Sequence, residues 1–155
     1  MHSDFRVLVD TLDPKFRALM AMEPVSFTQL PRSIPRRGIY LFSEGERHLY
    51  VGRTNGIRKR LQNHCRLGGT HFSATFAFRV ARVETGRTTA SYSPSGSRSE
   101  LWQDPVFGPA FVQAKRRVAA MDIRFVEETD PVRQALLEIY VATALRTPYN
   151  DFDNH

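Results

Sequence analysis

The sequence contains a single cysteine, Cys65, and therefore no pair that could form an internal disulfide. Because free thiols are typical of reducing compartments, we expect an intracellular, cytoplasmic protein. Long hydrophobic runs are absent as well, since no apolar stretch approaches the length that spans a bilayer. The first residues lack the basic and apolar segments of a secretory signal peptide. We therefore expect no membrane partner.

Acidic residues are scarce in one part of the chain, residues 31–66. This stretch holds two acids against nine basic residues, a net charge of +7, whereas the whole chain carries +6. The nine basic residues are Arg32, Arg36, Arg37, Arg47, Arg53, Arg58, Lys59, Arg60 and Arg66. All but one are arginines, whose planar guanidinium suits bidentate contacts with phosphate. A local basic patch of this kind is typical of a protein that binds a polyanion.

The order of helical and strand patterns predicts a small α+β domain with a three-stranded antiparallel sheet flanked by helices. The predicted strands are Gly38–Ser43, His48–Gly52 and Asp122–Glu127. Predicted helices span residues 4–22 with a break at Asp13-Pro14, then 56–66, 72–83, about 109–121 and 131–146. We predict one domain, residues 1–155, with a helical extension over about 1–30 and an insertion over about 88–118.

Each strand of the predicted hairpin carries one tyrosine. A turn centred on Gly45 pairs Tyr40 with Tyr50 and Gly38 with Gly52, and it places the apolar residues of both strands on the opposite face. A shorter turn would pair Tyr40 with a leucine and mix the two faces. The apolar pattern therefore favours the first register, with both tyrosines on one face. An aromatic pair in a second core layer is the alternative to a functional role.

The helix after the hairpin carries Arg60 and His64, which are spaced to lie on one edge. A guanidinium that binds phosphate and an imidazole that titrates near neutrality suit phosphoryl transfer. Taken singly, His64 would be a packing residue and Arg60 a solvated one. Glu138 is the only acid of the last helix and has mostly apolar neighbours, so we expect it to be partly buried beside a partner. That partner is either a hard divalent cation or one of the arginines Arg133 and Arg146.

Together these residues resemble the GIY-YIG nuclease superfamily, which is named after two strand motifs. The motifs stand here as Gly38-Ile39-Tyr40 and Tyr50-Val51-Gly52. The resemblance continues through Arg60, His64 and Glu138 and ends at Asn150, with Asn154 as a weaker rival. It covers roughly residues 38–82 and 122–150, including a polar turn at 70–73. The fold that it implies agrees with the predicted three-stranded antiparallel sheet flanked by helices.

The resemblance implies a metal-dependent endonuclease that hydrolyses DNA phosphodiester bonds with one divalent cation, Mg²⁺ or Mn²⁺. Glu138 would hold the cation, Arg60 would clamp the phosphate, and Asn150 would close the site. Tyr40 would be the general base or would orient the attacking water, with its proton passed toward the second tyrosine or His64. Because a free tyrosine has a pKa near 10, His64 is the alternative base.

The substrate class stays open within this resemblance. Four residues at the end of the second motif or soon after it are expected to contact nucleic acid, namely Gly52, Arg53, Arg58 and Lys59. The DNA could be double-stranded or single-stranded, and Tyr92 and Trp102 could stack on exposed bases. Cutting both strands would need a homodimer or two successive encounters. Two other functions stay open: an inactive nucleic-acid-binding module, and an RNA-cleaving enzyme that uses the same site.

Overall fold

The computed structural model describes residues 1–68, 73–87 and 103–154. The chain divides into two compact units, of which the first is Met1–Arg60 with Met121–Asn150 and the second is Leu61–Ala120 with Asp151–His155. Most of the polar turn at 70–73 lies outside the described residues. So does the first part of the predicted insertion, residues 88–102, which includes Tyr92 and Trp102. The prediction of one domain with an extension and an insertion stays a prediction.

The described ranges contain helices and strands close to those predicted. The helices are α1 (Ser3–Asp10), α2 (Leu12–Ala21), α3 (Ile57–Cys65), α4 (Thr75–Thr85), α5 (Phe107–Ala119) and α6 (Pro131–Leu145), with a 3₁₀ turn at Phe27–Gln29. The strands are β1 (Gly38–Glu44), β2 (Arg47–Thr54) and β3 (Asp122–Glu127). In these ranges, none of the helices combines the length and the apolar character needed to cross a membrane.

The three strands form one antiparallel sheet in the order β2-β1-β3. This arrangement confirms the predicted α+β fold class, and β3 has the predicted bounds. Because β1 is the central strand, its backbone hydrogen-bonds to a neighbour on both sides. Tyr40 therefore stands on the best-supported strand of the sheet.

The predicted hairpin register is wrong by two residues. Tyr40 lies opposite Gly52 and Phe42 lies opposite Tyr50, so neither the Tyr40–Tyr50 pair nor the Gly38–Gly52 pair forms. A two-residue turn joins the strands, and a β-bulge after Phe42 adds one residue to β2. Together these two features displace the pairing by an even number of residues. Since side chains alternate with a period of two, both tyrosines still lie on the same face.

The other face of the hairpin belongs to the core of the first unit. Ile39, Leu41 and Val51 are fully buried there, as the apolar pattern predicts. They pack with residues from α2 and α6, namely Leu12, Leu19, Leu137, Val141 and Ala142. Fully burying one such aliphatic side chain contributes roughly 1.5–3 kcal/mol. This packing holds α6 against the hairpin.

The break between the first two helices lies at Thr11, two residues before the predicted position at Asp13-Pro14. Thr11 is the C-cap of α1 and the N-cap of α2, and its hydroxyl donates to the Leu8 carbonyl over 2.6 Å. Pro14 lies inside the first turn of α2. The backbone N–H groups of a first turn have no partner within the helix, so a proline is tolerated there and does not mark the boundary.

The last helix, α6, begins at the predicted residue and ends one residue before the predicted end. The Asp130 side chain accepts from the backbone N–H of Arg133 over 2.8 Å, and Pro131 occupies the first helical position. The helix ends where Arg146 adopts a left-handed conformation with φ 51°. Because α6 packs against β2, its residues Gln134 and Glu138 face the hairpin edge that carries Gly52.

The described part of the second unit packs α4 against α5. The rings of Phe78 and Phe107 lie 5.1 Å apart, and Phe111 lies 5.9 Å from Phe78. The two helices begin at Thr75 and at Phe107, against predicted starts at residue 72 and near residue 109. Aromatic side chains thus form the centre of this unit.

Candidate active site

Tyr40 is a buried side chain that lies across the neighbouring strand. Only 1% of the surface of Tyr40 is accessible to solvent. Directly opposite it on β2 stands Gly52, and a Cβ built on that glycine would collide with the Tyr40 hydroxyl. The glycine of the second motif therefore leaves room for the tyrosine of the first. This relation follows from the observed register and could not follow from the predicted one.

The Tyr40 hydroxyl takes part in a small polar network. Arg60 donates from Nε to this hydroxyl over 3.4 Å. The Tyr40 hydroxyl is also hydrogen-bonded to Tyr50, and the two rings have centroids 6.3 Å apart. Tyr40 is buried, whereas Tyr50 and Arg60 are half-buried. The first unit thus brings together three of the predicted catalytic residues.

The protonation state of Tyr40 follows from this environment. Burial is the largest cause that raises the pKa of Tyr40 above its ordinary value, and the neighbouring Tyr50 raises this pKa further. The charge of Arg60 acts in the opposite direction without cancelling the rise. Tyr40 therefore keeps its proton at neutral pH and acts through hydrogen bonds.

Glu138 is partly buried, as predicted, and its partner is Arg53. Arg53 donates from Nε to Glu138 Oε2 over 2.8 Å, and 19% of the Glu138 side chain is exposed. The predicted alternative to a cation was an ion pair with Arg133 or Arg146, and the arginine observed is neither of these two. Arg133 pairs with Glu128 over 3.3 Å. Burial raises the pKa of Glu138, and the charge of Arg53 opposes the rise without removing it. One arginine therefore compensates only part of the cost of burying this carboxylate.

These side chains converge on one cavity of about 400 Å³. Its wall belongs entirely to the first unit. The lining residues are Tyr40, Tyr50, Gly52, Arg53, Thr54, Asn55, Arg60, Gln134 and Glu138. Two guanidinium groups and one carboxylate thus share a wall with the two tyrosines. A tetrahedral anion with a cation beside it would find partners of both signs here.

The residues present fit a single divalent cation with few protein ligands. Glu138 offers an oxygen ligand in a site where positive charge is still favourable. Within the ranges described, no group of three His, Cys, Asp or Glu residues lies together. Mg²⁺ and Mn²⁺ match this arrangement because they commonly retain water and bind through one or two protein oxygens with substrate phosphate.

The side chain of Asn150 is hydrogen-bonded to the backbone of β2. Its side chain accepts from the Val51 N–H over 2.9 Å and donates to the Val51 carbonyl over 2.8 Å. Thr147 donates a further hydrogen bond to Asn150 Oδ1 over 2.7 Å. Asn150 is not among the residues that line the cavity. It therefore supports the edge strand β2 through the backbone of Val51, the residue between Tyr50 and Gly52.

His64 belongs to the second unit. It is fully buried, and its ring meets the ring of Phe76 edge-on at a centroid distance of 6.4 Å. The predicted role as an alternative base stays a prediction.

The residues predicted to contact nucleic acid differ in their availability. Lys59 and Arg53 are exposed, whereas Arg58 is half-buried. The Arg58 guanidinium donates to the backbone carbonyls of Pro31, over 2.5 Å, and Arg32, over 3.0 Å. Arg58 therefore ties the chain before β1 to the start of α3.

Three polar residues of the cavity carry no motif and were missed from the sequence, namely Thr54, Asn55 and Gln134. Gln134 lies one turn before Glu138 on α6, and Asn55 follows β2. Gln134 donates from Nε2 to the Glu128 carbonyl over 2.6 Å and to Asn55 Oδ1 over 3.2 Å. The available signal was the four-residue spacing of Gln134 and Glu138, which places both on one helix face.

Comparisons with known proteins leave the site to be interpreted from its chemistry. A scan of protein-family models, a search of curated proteins and a search of solved structures each found no match to this chain. The resemblance to the GIY-YIG superfamily therefore rests only on the motif residues of this chain and their spacing in the sequence.

Proposed function

We propose that this protein is a metal-dependent endonuclease that hydrolyses DNA phosphodiester bonds, acting in the cytoplasm. The observation that carries the proposal is the shared cavity of Tyr40, Tyr50, Arg53, Arg60 and Glu138. Two tyrosines alone would suit a packed aromatic layer. A pair of arginines and a partly buried carboxylate beside them suit a phosphate and its counter-ion better.

Arg60 is the phosphate-binding group in this proposal. Its guanidinium already donates to the Tyr40 hydroxyl, which fixes its direction at the cavity wall. Additional N–H groups of the same fork could bind a non-bridging phosphate oxygen and stabilise the charge that develops there. Arg53 would supply a second positive charge on the same wall.

Tyr40 is assigned the orienting role and not that of the general base. Burial raises the pKa of Tyr40, so its hydroxyl remains protonated near neutrality. A hydroxyl that is held by Arg60 and Tyr50 can fix the position of the attacking water through hydrogen bonds. Tyr50 is half-buried and can relay the proton that the water loses, taking it up as its own hydroxyl proton passes to solvent. No step is assigned to His64.

Glu138 would hold the cation, either Mg²⁺ or Mn²⁺. When bound, such an ion neutralises charge on the phosphate and on the leaving oxygen. In the overall reaction the water oxygen forms a bond to phosphorus, and the bond from phosphorus to the leaving sugar oxygen breaks. The water loses one proton and the leaving oxygen gains one, so one product ends in phosphate and the other in a hydroxyl.

The experiment that tests the proposal is a cleavage assay on four labelled substrates, single- and double-stranded DNA and single- and double-stranded RNA, with Mg²⁺ or Mn²⁺. We expect the wild type to cut DNA and Glu138→Gln to bind the same DNA without cutting it. Preferential cutting of RNA would replace the substrate class and leave the site assignment intact. Absence of cutting by the wild type on all substrates would contradict the proposal.

One observation favours a second candidate, an inactive nucleic-acid-binding module. The ion pair between Arg53 and Glu138 provides the carboxylate with a partner that is not a metal. In that case Glu138→Gln would leave DNA binding unchanged. The same assay separates the two candidates, because a binding module would show no metal-dependent product.

A further inference from the structure

Gln134 is a buried amide on the wall of the candidate site. It keeps 3% of its accessible surface, and it lines the cavity together with Glu138. Residues four apart on a helix lie one turn apart on the same face, with about 5–6 Å between their Cβ atoms. Both side chains therefore reach the cavity from the same side of α6.

The orientation of the Gln134 amide is determined by its partners. Nε2 donates to the backbone carbonyl of Glu128 over 2.6 Å, and a carbonyl can only accept. The second hydrogen on Nε2 points to Asn55 Oδ1 over 3.2 Å. Both donors are thus used, and the carbonyl oxygen Oε1 must face away from them.

The Oε1 atom of Gln134 has no donor among the residues that the structure describes. It is also not sealed in the interior. A carbonyl oxygen on a residue this buried costs free energy unless something binds it. The cavity is the space from which a partner could come.

Glu138 presents a second oxygen in the same state. Arg53 binds Oε2, and in the described part of the chain nothing donates to Oε1. Both residues line the cavity, so its wall contains an amide and a carboxylate from successive turns of α6. Hard divalent cations prefer oxygen ligands of these two kinds, and ligands four residues apart on a helix can bind one ion.

We propose that Gln134 is a second protein ligand of the divalent cation, so that Gln134 Oε1 and Glu138 Oε1 together bind one Mg²⁺ or Mn²⁺. This inference rests on the proposed function, since it concerns the cation of that site. The contacts of Nε2 to Glu128 and Asn55 then have a purpose beyond packing, because they direct the carbonyl oxygen toward the ion.

The test measures Mn²⁺ binding directly, by the loss of the free-ion electron paramagnetic resonance signal. Four proteins are compared: the wild type, Glu138→Gln, Gln134→Met and Gln134→Glu. We expect Glu138→Gln to lose detectable binding and Gln134→Met to bind at least about tenfold more weakly. Gln134→Glu keeps an oxygen ligand and adds negative charge, so it should bind Mn²⁺ at least as tightly as the wild type.

A merely structural role for Gln134 predicts a different result. Both replacements remove the Nε2 donors, so they would weaken Mn²⁺ binding equally or not at all. The midpoint of thermal unfolding provides the second readout. Loss of a ligand reduces the rise in midpoint that Mn²⁺ causes, whereas loss of a structural contact lowers the midpoint without metal and leaves that rise unchanged. If Gln134→Met does not fold, weaker binding by Gln134→Glu than by the wild type overturns the inference.

The two proposals fail in different ways. If the wild type cuts DNA with Mn²⁺ and Gln134→Met binds the ion like the wild type, only the ligand role of Gln134 is wrong. If the wild type neither binds Mn²⁺ nor cuts any nucleic acid, the proposed function is wrong and this inference with it.

Discussion

At the scale of single residues, the environment of Tyr40 decides what its hydroxyl can do. The hydroxyl lies over a glycine, accepts from Arg60 and is hydrogen-bonded to Tyr50. A residue in this setting has its orientation specified by packing and by hydrogen bonds at once. Such preorganisation favours a positioning role over a proton-accepting one.

Gly52→Ala should destabilise the protein. The new methyl would collide with the Tyr40 hydroxyl and ring, and that ring is buried on the central strand. Overpacking of this kind costs typically about 1–3 kcal/mol. Chemical denaturation would measure the loss in free energy of unfolding.

The matched control for this substitution is Gly68→Ala. No atom lies within 4 Å of a Cβ built on Gly68, so its free energy of unfolding should change by less than about 0.5 kcal/mol. Equal stability of Gly52→Ala and the wild type would mean that the close contact between Tyr40 and Gly52 does not exist in solution.

The thiol of Cys65 should be inert in the folded protein. Burial raises the pKa of Cys65 to about 12, so at pH 8 only about one thiol in 10⁴ is ionised, and thiolate is the reactive form. A disulfide reagent should therefore react at least 100-fold more slowly with the native protein than with the protein in guanidinium chloride. Similar rates in both conditions would contradict the burial of this residue.

At the scale of elements, the hairpin shows what could and could not be predicted from sequence. The two strands, their apolar face and the common face of the tyrosines are set by the period-two pattern, which is visible in the sequence. The β-bulge after Phe42 is not visible there, because it depends on how the two-residue turn and the core position the strands. The same limit explains Arg53, whose pairing with Glu138 joins residues 85 positions apart.

The candidate site was predictable where a residue has a motif or an unusual neighbourhood. Glu138 met both conditions. It is one of the residues that carry the resemblance, and it is the only acid on a mostly apolar helix. Gln134 met neither, because a glutamine on a helix is ordinary until its amide is seen buried between Glu128 and Asn55. Tertiary contacts of this kind identify a residue that local patterns cannot.

Asn150→Ala should lower stability by about 1–3 kcal/mol. The substitution removes both hydrogen bonds to Val51 and leaves a backbone N–H and carbonyl of a buried strand residue without these partners. Because Asn150 supports the strand that carries Tyr50, we expect any cleavage activity to fall with the folded fraction. The comparison is between denaturation curves and activity per folded molecule. A large loss of activity at unchanged stability would instead favour the closing role implied by the resemblance.

At the scale of the whole molecule, charge is distributed unevenly. The stretch 31–66 carries a net charge of +7, whereas the whole chain carries +6, so the remaining chain is slightly acidic. Seven of its nine basic residues are exposed, while Arg58 and Arg60 are half-buried in specific contacts. Arg53 and Arg60 line the cavity. In the proposed function these two arginines bind the phosphate, and the other exposed basic residues of the stretch attract a polyanion non-specifically.

DNA binding should weaken steeply as salt is added. If about three phosphates are neutralised, the dissociation constant should rise roughly 40-fold between about 50 and 200 mM monovalent salt, because counter-ion release scales with the number of phosphates. Fluorescence anisotropy with a labelled oligonucleotide would measure the slope. A flat response would contradict the role of the basic stretch.

The most direct test of the central claim is metal-dependent cleavage of DNA by the wild type and by Tyr40→Phe, each first shown to be folded. The substitution removes one hydroxyl and keeps the ring over Gly52. We predict that the wild type cuts with Mg²⁺ or Mn²⁺ and that Tyr40→Phe cuts at least about 100-fold more slowly while it binds DNA equally well. Equal cleavage by both proteins, or no cleavage by the wild type, would contradict this account.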